Sequence, residues 1–229
     1  LRFIELLEEG GFRNFPKIIS TNKKDNWTLF EWLEGTKVSR PTLKDYEALI
    51  FFLKSIQNLK SFEKAKYIGY ASEACFDLID HKNLIIKRLE NIIKFSSGKE
   101  KTWLKIEVLE SIKKCEKTFE KYFSLSSSNS FYKGVKILSP SDIGFHNILK
   151  IKDKYYFHDF EYAGWDDPYK LIVDILIQPE NVLNKDISMK VFKSLETCFN
   201  INNNFEFLKV YLILYRAKWV SIISKKIIE

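Results

Sequence analysis

The sequence predicts an α+β fold, with a small β-rich stretch at its beginning and a larger, mostly helical part that carries a β-hairpin. Three observations lead to that expectation. Residues 27–33 form an aromatic-rich run bounded by turn-forming residues, as a strand does. Between residues 41 and 123 apolar side chains recur at helical spacing with charges between them. After the serine-rich residues 124–130 the pattern changes to short apolar runs separated by turn residues.

Element by element, residues 1–9 read as the end of a helix with Phe3, Ile4, Leu6 and Leu7 on its apolar face, stopped by Gly10-Gly11. Residues 16–20 read as a short strand, 22–26 as a polar turn, and 27–33 as the aromatic strand, broken at Glu34-Gly35. Tyr46, Leu49, Ile50, Leu53 and Ile56 mark one helix. A second covers the region 85–93, and a stripe of Leu104, Val108, Ile112, Cys115, Phe119 and Tyr122 marks a third. Residues 124–130 read as a loop, 135–138 as a strand and 139–146 as another loop. Residues 148–152 and 155–160 pair as a hairpin that turns at Asp153-Lys154. Asp167-Pro168 opens a helix through Ile177, since proline suits a first helical turn, and Pro179 follows it. Two further helices cover 188–199 and 205–228.

Composition bounds the function. The 229 residues are 45% hydrophobic, 29% charged and 15% aromatic, which excludes wholesale disorder and supplies a sizeable core. The apolar stretches fall short of the ~18 residues of a membrane span, and the opening residues do not read as a signal peptide. Cys75, Cys115 and Cys198 fit neither a disulfide framework nor zinc spacing, so a reducing, cytoplasmic setting is the expectation. The net charge of +7 fits a basic nucleic-acid-binding helical protein, but the lysines are interspersed with glutamates along helices, and solvated helix faces are the favoured reading. The chain opens on Leu1 and its single methionine is Met189, from which a truncated N-terminus is expected.

The chemistry is concentrated in residues 138–168. Ser139-Pro140-Ser141-Asp142-Ile143-Gly144-Phe145-His146-Asn147 is followed, across the hairpin, by Asp159-Phe160-Glu161-Tyr162-Ala163-Gly164-Trp165-Asp166-Asp167-Pro168. A hairpin brings its two ends together, which would set Asn147 beside Asp159, with Asp142 facing the same cleft. Phosphoryl transfer needs a carboxylate to orient an acceptor hydroxyl, and magnesium takes oxygen ligands such as a carboxylate and an amide. Turn-forming and capping roles for the same three residues are the plain alternative.

The segment resembles the catalytic core of the aminoglycoside phosphotransferase and choline kinase superfamily, relatives of protein kinases. That motif reads H-x-D-x-x-x-x-N followed by a D-F-G-like or D-F-E-Y-A-G run. The resemblance implies a protein-kinase-like α+β fold: residues 1–34 as the remnant of a small β lobe with the hinge, and residues 35–229 as a mostly helical large lobe with catalytic β-hairpins. It implies Asp142 as catalytic base and Asn147 and Asp159 as ligands of Mg2+. Residues 29–35 resemble the family's hinge, which implies that Glu31 offers its carbonyl and Leu33 its N–H to the adenine of ATP, with Phe30 behind the base. Tyr162 and Trp165 are candidates for an aromatic wall around a cationic acceptor, or for packing of the metal loop. His146 and His158 are read as local packing or hydrogen-bonding groups, because magnesium does not favour imidazole.

Three departures stand out. The histidine two residues before the catalytic aspartate is Pro140 here, and the aspartate expected in the following helix has only a shifted counterpart in Asp174. No G-x-G-x-x-G is present, and no strand carrying a lysine precedes the first helix. The resulting expectation is an ATP-dependent kinase acting on a hydroxyl of a small molecule: an amino alcohol, a sugar or an aminoglycoside-like acceptor. A catalytically inactive kinase-like binding module is the alternative, motivated by Pro140 and the absent glycine-rich loop.

Overall fold

In chain order the elements are helix α1 (Arg2–Glu9), strands β1 (Ile18–Asn22), β2 (Trp27–Phe30) and β3 (Thr36–Lys37), and helices α2 (Leu43–Gln57), α3 (Leu78–Phe95) and α4 (Gly98–Trp103). A π-helical segment (Leu104–Leu109) then leads into α5 (Glu110–Thr118) and α6 (Glu120–Ser127). Strands β4 (Ile137–Ser139), β5 (Ile148–Ile151), β6 (Lys154–Phe157) and β7 (Gly164–Asp166) follow, then α7 (Pro168–Leu176), α8 (Lys185–Phe199) and α9 (Phe205–Ile228). The computed structural model describes residues 1–22, 24–25, 27–127, 135–201 and 205–228. It divides into two compact units: Leu1–Ser72 with Leu138–Trp165 and Leu183–Cys198, and Glu73–Ile137 with Asp166–Val182 and Phe199–Glu229.

The first unit is built on aromatic packing. α1 buries Phe3, Ile4, Leu6 and Leu7, the four residues that its spacing selects, and the chain turns away through Gly11 at φ +80°. Phe52 of α2 stacks on Phe157 of β6 with ring centroids 3.9 Å apart, and Phe160 lies 5.6 Å from Phe3 and 6.4 Å from Phe15. α2 carries the predicted stripe, with Tyr46, Leu49, Leu53 and Ile56 buried and Ile50 half-buried. It starts where Asp45 folds back on Thr42, whose backbone N–H and hydroxyl both donate to the Asp45 carboxylate. Gln57, at its other end, donates to the Leu138 carbonyl at 2.8 Å and accepts from the Leu138 N–H at 3.1 Å, fixing the strand that leads to Asp142.

Two small antiparallel sheets complete this unit. β1 and β2 pair with Asn22 opposite Trp27, around a turn in which the Asn22 side-chain oxygen accepts from the N–H groups of Lys24 and Asp25. β5 and β6 form the expected hairpin, from Ile148 opposite Phe157 to Ile151 opposite Lys154. β3 adds a third strand, with Thr36 opposite Lys150.

The second unit is helical. α3 packs against α9, and α7 and α5 also pack on α9. Ile85 and Leu89 of α3, Ile172 and Val173 of α7, and Val210 and Leu214 of α9 are fully buried. Asp167 caps α7, accepting from the N–H groups of Tyr169 and Lys170 with Pro168 in the first turn, as the sequence predicts. Around it lie buried polar groups. Tyr211 donates its hydroxyl to Asp167 at 2.8 Å, His81 Nδ1 lies 2.7 Å from the Tyr215 hydroxyl, and Lys170 donates to Asp166 at 2.5 Å.

Three local expectations are corrected. The aromatic strand ends at Phe30 rather than Leu33, because its partner ends at Ile18 and the chain tightens where the Gly35 N–H donates to the Leu33 carbonyl. The hairpin turns one residue early, at Lys152-Asp153, where Lys152 takes φ +55°. Residues 124–127 continue α6 instead of forming a loop, and residues 128–130 lie outside the described residues. β3 and β7 have no counterpart in the sequence reading. Cys75, Cys115 and Cys198 are free thiols, each pushed up to about 11 by burial. No described helix is long and apolar enough to cross a membrane.

Candidate functional site

Every predicted site residue lies in the first unit. β4 ends at the fully buried Ser139, whose hydroxyl accepts from the N–H of Ser141 at 2.9 Å. Ser141 takes φ +66°, a left-handed conformation that serine seldom adopts, and this turns the chain so that Asp142 emerges while Pro140 stays buried. Ile143 and Phe145 return to the core, and the Phe145 ring meets Tyr46 edge-on at 4.8 Å. A single 3-10 turn follows, closed by the Asn147 N–H on the Gly144 carbonyl at 2.9 Å.

Asn147 links the parts. Its side chain is buried, and its Nδ2 donates to the Asp142 carbonyl at 2.9 Å. Its own carbonyl accepts from the N–H of His158 at 3.1 Å, one residue before Asp159. The structure therefore brings Asp142, Asn147 and the start of 159–165 together, as the hairpin spacing predicts. Asp159 is exposed and left-handed at φ +63°, and Phe160 anchors the next position in the aromatic core.

The donor chemistry fits a hard cation. With Nδ2 occupied on Asp142, the amide oxygen of Asn147 is the ligand atom that remains, and Asp159 contributes an exposed carboxylate. Among the described residues no group of three or more His, Cys, Asp or Glu could hold a metal by itself. Such a pair suits magnesium, which typically takes one or two protein ligands and completes its shell with phosphates and water.

The two histidines sit beside these residues. His146 Nε2 lies 3.3 Å from Asp142 Oδ1. Burial draws the His158 imidazole below its ordinary value. Asp159 opposes the drop, and the nearby His146 and Lys37 reinforce it. The local role expected of His146 thus has a partner in Asp142, whose one sequence signal is the four-residue spacing.

The residues after Asp159 are braced by the segment 69–72. The Trp165 N–H donates to Gly69, the Ala71 N–H to Trp165 and the Ser72 N–H to Tyr162, all at 2.9–3.0 Å. A Cβ at Gly164 would lie 2.5 Å from Ala71 N and Gly69 O, so the close approach depends on glycine. Trp165 donates its indole N–H to the Ala65 carbonyl at 3.1 Å. Tyr162 is exposed. Its phenol is held above its ordinary value, first by its hydrogen bond to Glu161 and that carboxylate's charge, with Asp159 and Asp142 adding to the effect.

The hinge candidates lie where β2 ends. Phe30 pairs with Ile18 and is partly exposed. Glu31 pairs doubly with Lys17: its N–H donates to the Lys17 carbonyl, and its carboxylate accepts from the Lys17 N–H, both at 2.9 Å. Leu33 is half-buried, and its carbonyl accepts from Gly35. A Cβ at Gly35 would lie 2.9 Å from Leu149 Cβ, and β3 pairs directly afterwards with β5. This segment therefore runs against the strand that begins one residue after Asn147.

No family model and no curated protein matches the chain. Solved structures do match it. The AMP-bound complex of a spectinomycin phosphotransferase superposes with a TM-score of 0.66 at 15% identity, covering 98% of this chain and 73% of that one. Choline kinase from Cryptosporidium parvum Iowa II gives 0.55 at 12% identity, with 97% and 71% covered. Plasmodium vivax ethanolamine kinase gives 0.54 at 16% identity, with 96% and 63% covered. The chain has the protein-kinase-like α+β fold shared by aminoglycoside phosphotransferases and choline and ethanolamine kinases.

Proposed function

We propose that this chain transfers the γ-phosphoryl group of ATP to a hydroxyl of a small molecule. The observation that carries the reading is the double tether of Asn147, by its side chain to Asp142 and by its carbonyl to the residue before Asp159. That tether gathers the candidate base and both candidate metal ligands into one patch. The fold supports it, since the similar solved structures include a spectinomycin phosphotransferase crystallised with AMP, and with ADP and spectinomycin.

In this reading Asp142 orients the acceptor hydroxyl and takes its proton as the γ-phosphoryl group passes from ATP to the hydroxyl oxygen, with ADP as the leaving group. The Asn147 amide oxygen and the Asp159 carboxylate would hold Mg2+, which when bound would neutralise charge on the phosphates. Phe30 lies against the adenine, with the Glu31 carbonyl and the Leu33 N–H along its edge. Residues 1–34 serve as the small-lobe part and hinge, and residues 35–229 as the large lobe. The acceptor is an amino alcohol. The negative charge of Glu161, Asp159 and Asp142 around the exposed Tyr162 favours a cation there, with the Tyr162 and Trp165 rings as its apolar wall.

The test is ADP formation from ATP and Mg2+ with choline, ethanolamine, a neutral sugar and spectinomycin as acceptors. Turnover with a cationic alcohol that falls to a small residual rate in Asp142→Asn and is lost in Asp159→Asn supports the reading, and near-normal turnover in Asp159→Asn refutes it. Pro140 favours a second reading, an inactive nucleotide-binding module. It predicts stabilisation by ATP and Mg2+ without turnover: about 2.7 kcal/mol at a hundredfold excess over Kd, or roughly 5–10 °C in Tm for a chain of this size.

A further inference from the structure

The geometry points to His146 as a positioning residue for Asp142: its imidazole holds one carboxylate oxygen so that the other faces the acceptor. This inference rests on the phosphotransfer reading above for its catalytic consequence, though not for the contact itself.

Asn147 fixes the backbone of Asp142 through the carbonyl, which leaves the side-chain torsions to be set by other contacts. A carboxylate on an exposed turn rotates readily about χ2, whose preferences are broad and roughly two-fold. The Asp142 side chain is 46% exposed, and the His146 imidazole meets its Oδ1 at 3.3 Å. His146 itself stands on a rigid base. Its neighbours Phe145 and Asn147 are both buried at 4% exposure, and the turn they form is closed by a backbone hydrogen bond. The residue two before Asp142 is Pro140, which has neither a backbone N–H nor a side-chain donor and so cannot support the loop by donation. The four-residue step from Asp142 to His146 supplies a donor from the other side of the loop.

The test is steady-state kinetics of the intact chain with ATP, Mg2+ and the best acceptor. His146→Ala should lower kcat on the order of tenfold while both KM values move less than about twofold, since a misplaced base costs rate rather than binding. His146→Gln, whose amide nitrogen reaches close to the position of Nε2, should recover most of the rate. In an Asp142→Asn background, where no carboxylate remains to be oriented, His146→Ala should add no further loss. An unchanged kcat in His146→Ala, no rescue by glutamine, or independent losses in the double variant overturns the assignment. Absence of turnover in the unaltered chain would count against the phosphotransfer reading alone. Crystal structures of the unaltered chain and His146→Ala then decide the positioning. One carboxylate orientation that is lost in the variant upholds it, and the same orientation in both overturns it.

Discussion

The hydroxyl of Tyr155 donates to Asp45 Oδ1 at 2.6 Å, tying the hairpin to the first turn of α2. Asp45 Oδ2 accepts from the Thr42 N–H at 2.7 Å and the Thr42 hydroxyl at 2.6 Å, so one carboxylate both caps the helix and holds the strand behind the site. Asp45 is 7% exposed, which limits the ability of water to replace either partner. A hydrogen bond to a charged group contributes about 1.5–3 kcal/mol, so Tyr155→Phe should cost about 1.5 kcal/mol. Asp45→Ala should cost about 2.5 kcal/mol, because a lost cap adds about 1 kcal/mol. The double variant should fall about 1.5 kcal/mol short of the sum, as expected of residues in direct contact. The assay is urea unfolding of the four proteins at neutral pH, read by tryptophan fluorescence. Burial raises the Asp45 carboxyl, but the Thr42 and Tyr155 hydrogen bonds and Lys150 outweigh it and leave it below its ordinary value of 3.8. The unfolded chain therefore takes up the proton first. The stability from this group is present above the ordinary value and is lost as pH falls through the lowered one. The gap between the unaltered chain and Tyr155→Phe should accordingly narrow as pH falls through and below the ordinary value of 3.8. At the other extreme, burial and Asp45 push the Tyr155 phenol up to about 12, so the bond gives way as pH rises towards that value. A Tyr155→Phe cost below about 0.5 kcal/mol at neutral pH, or one that grows on acidification, would refute the reasoning.

Gly164→Ala should destabilise by about 3 kcal/mol or more, because the new methyl meets backbone atoms at 2.5–2.6 Å and must break the ladder to 69–71; the unfolding midpoint reads this directly. At Asp159, with φ +63°, asparagine tolerates the left-handed backbone and alanine does not. Asp159→Asn should therefore unfold like the unaltered chain while losing turnover, whereas Asp159→Ala should lose roughly 1 kcal/mol of stability as well. In the second unit, His81→Ala should cost about 3 kcal/mol by leaving a cavity beside Tyr215 and Asp167, and thermal unfolding should show it as a Tm lower by several degrees.

The legible parts of this fold were those fixed by side-chain pattern. The α1 stripe selected the four residues that are buried, and 205–228 reads as a single helix in both sequence and structure. The hairpin was legible because two apolar runs flank a polar pair, although which residue takes the left-handed turn was not, since neither Lys152 nor Asp153 carries glycine's signature. β3 and β7 were not legible, because they are two and three residues long and exist through pairing with distant backbone. Thr36 and Lys37 are both exposed, so no alternation could have marked them. The π-helical segment was hidden within a stripe whose first steps, Leu104 to Val108 to Ile112, are four residues each and fit either helix type. The juxtaposition of Asp142, Asn147 and Asp159 followed from hairpin logic, whereas the brace from 69–72 and the latch at Asp45 depend on packing between segments far apart in sequence.

The same residues explain how exposed chemistry is held still. Asp142 is exposed, and Ile143 beside it is buried; His146 is half-exposed between the buried Phe145 and Asn147; Asp159 is exposed and Phe160 is buried. Each polar group thus hangs within one residue of a core anchor, and the anchors meet α1 and α2 through Phe3, Tyr46 and Phe52. The left-handed Ser141 and Asp159 are where the chain leaves and re-enters this pattern. Such residues persist only where their surroundings over-determine them. Here the surroundings are the aromatic core, the Ser139 hydroxyl and the Asn147 bridge. The strain at Ser141 and Asp159 therefore belongs to the placement of the carboxylates. A substitution that relaxes it, such as Ser141→Gly, trades a gain in local backbone comfort against the rigidity that keeps Asp142 aimed.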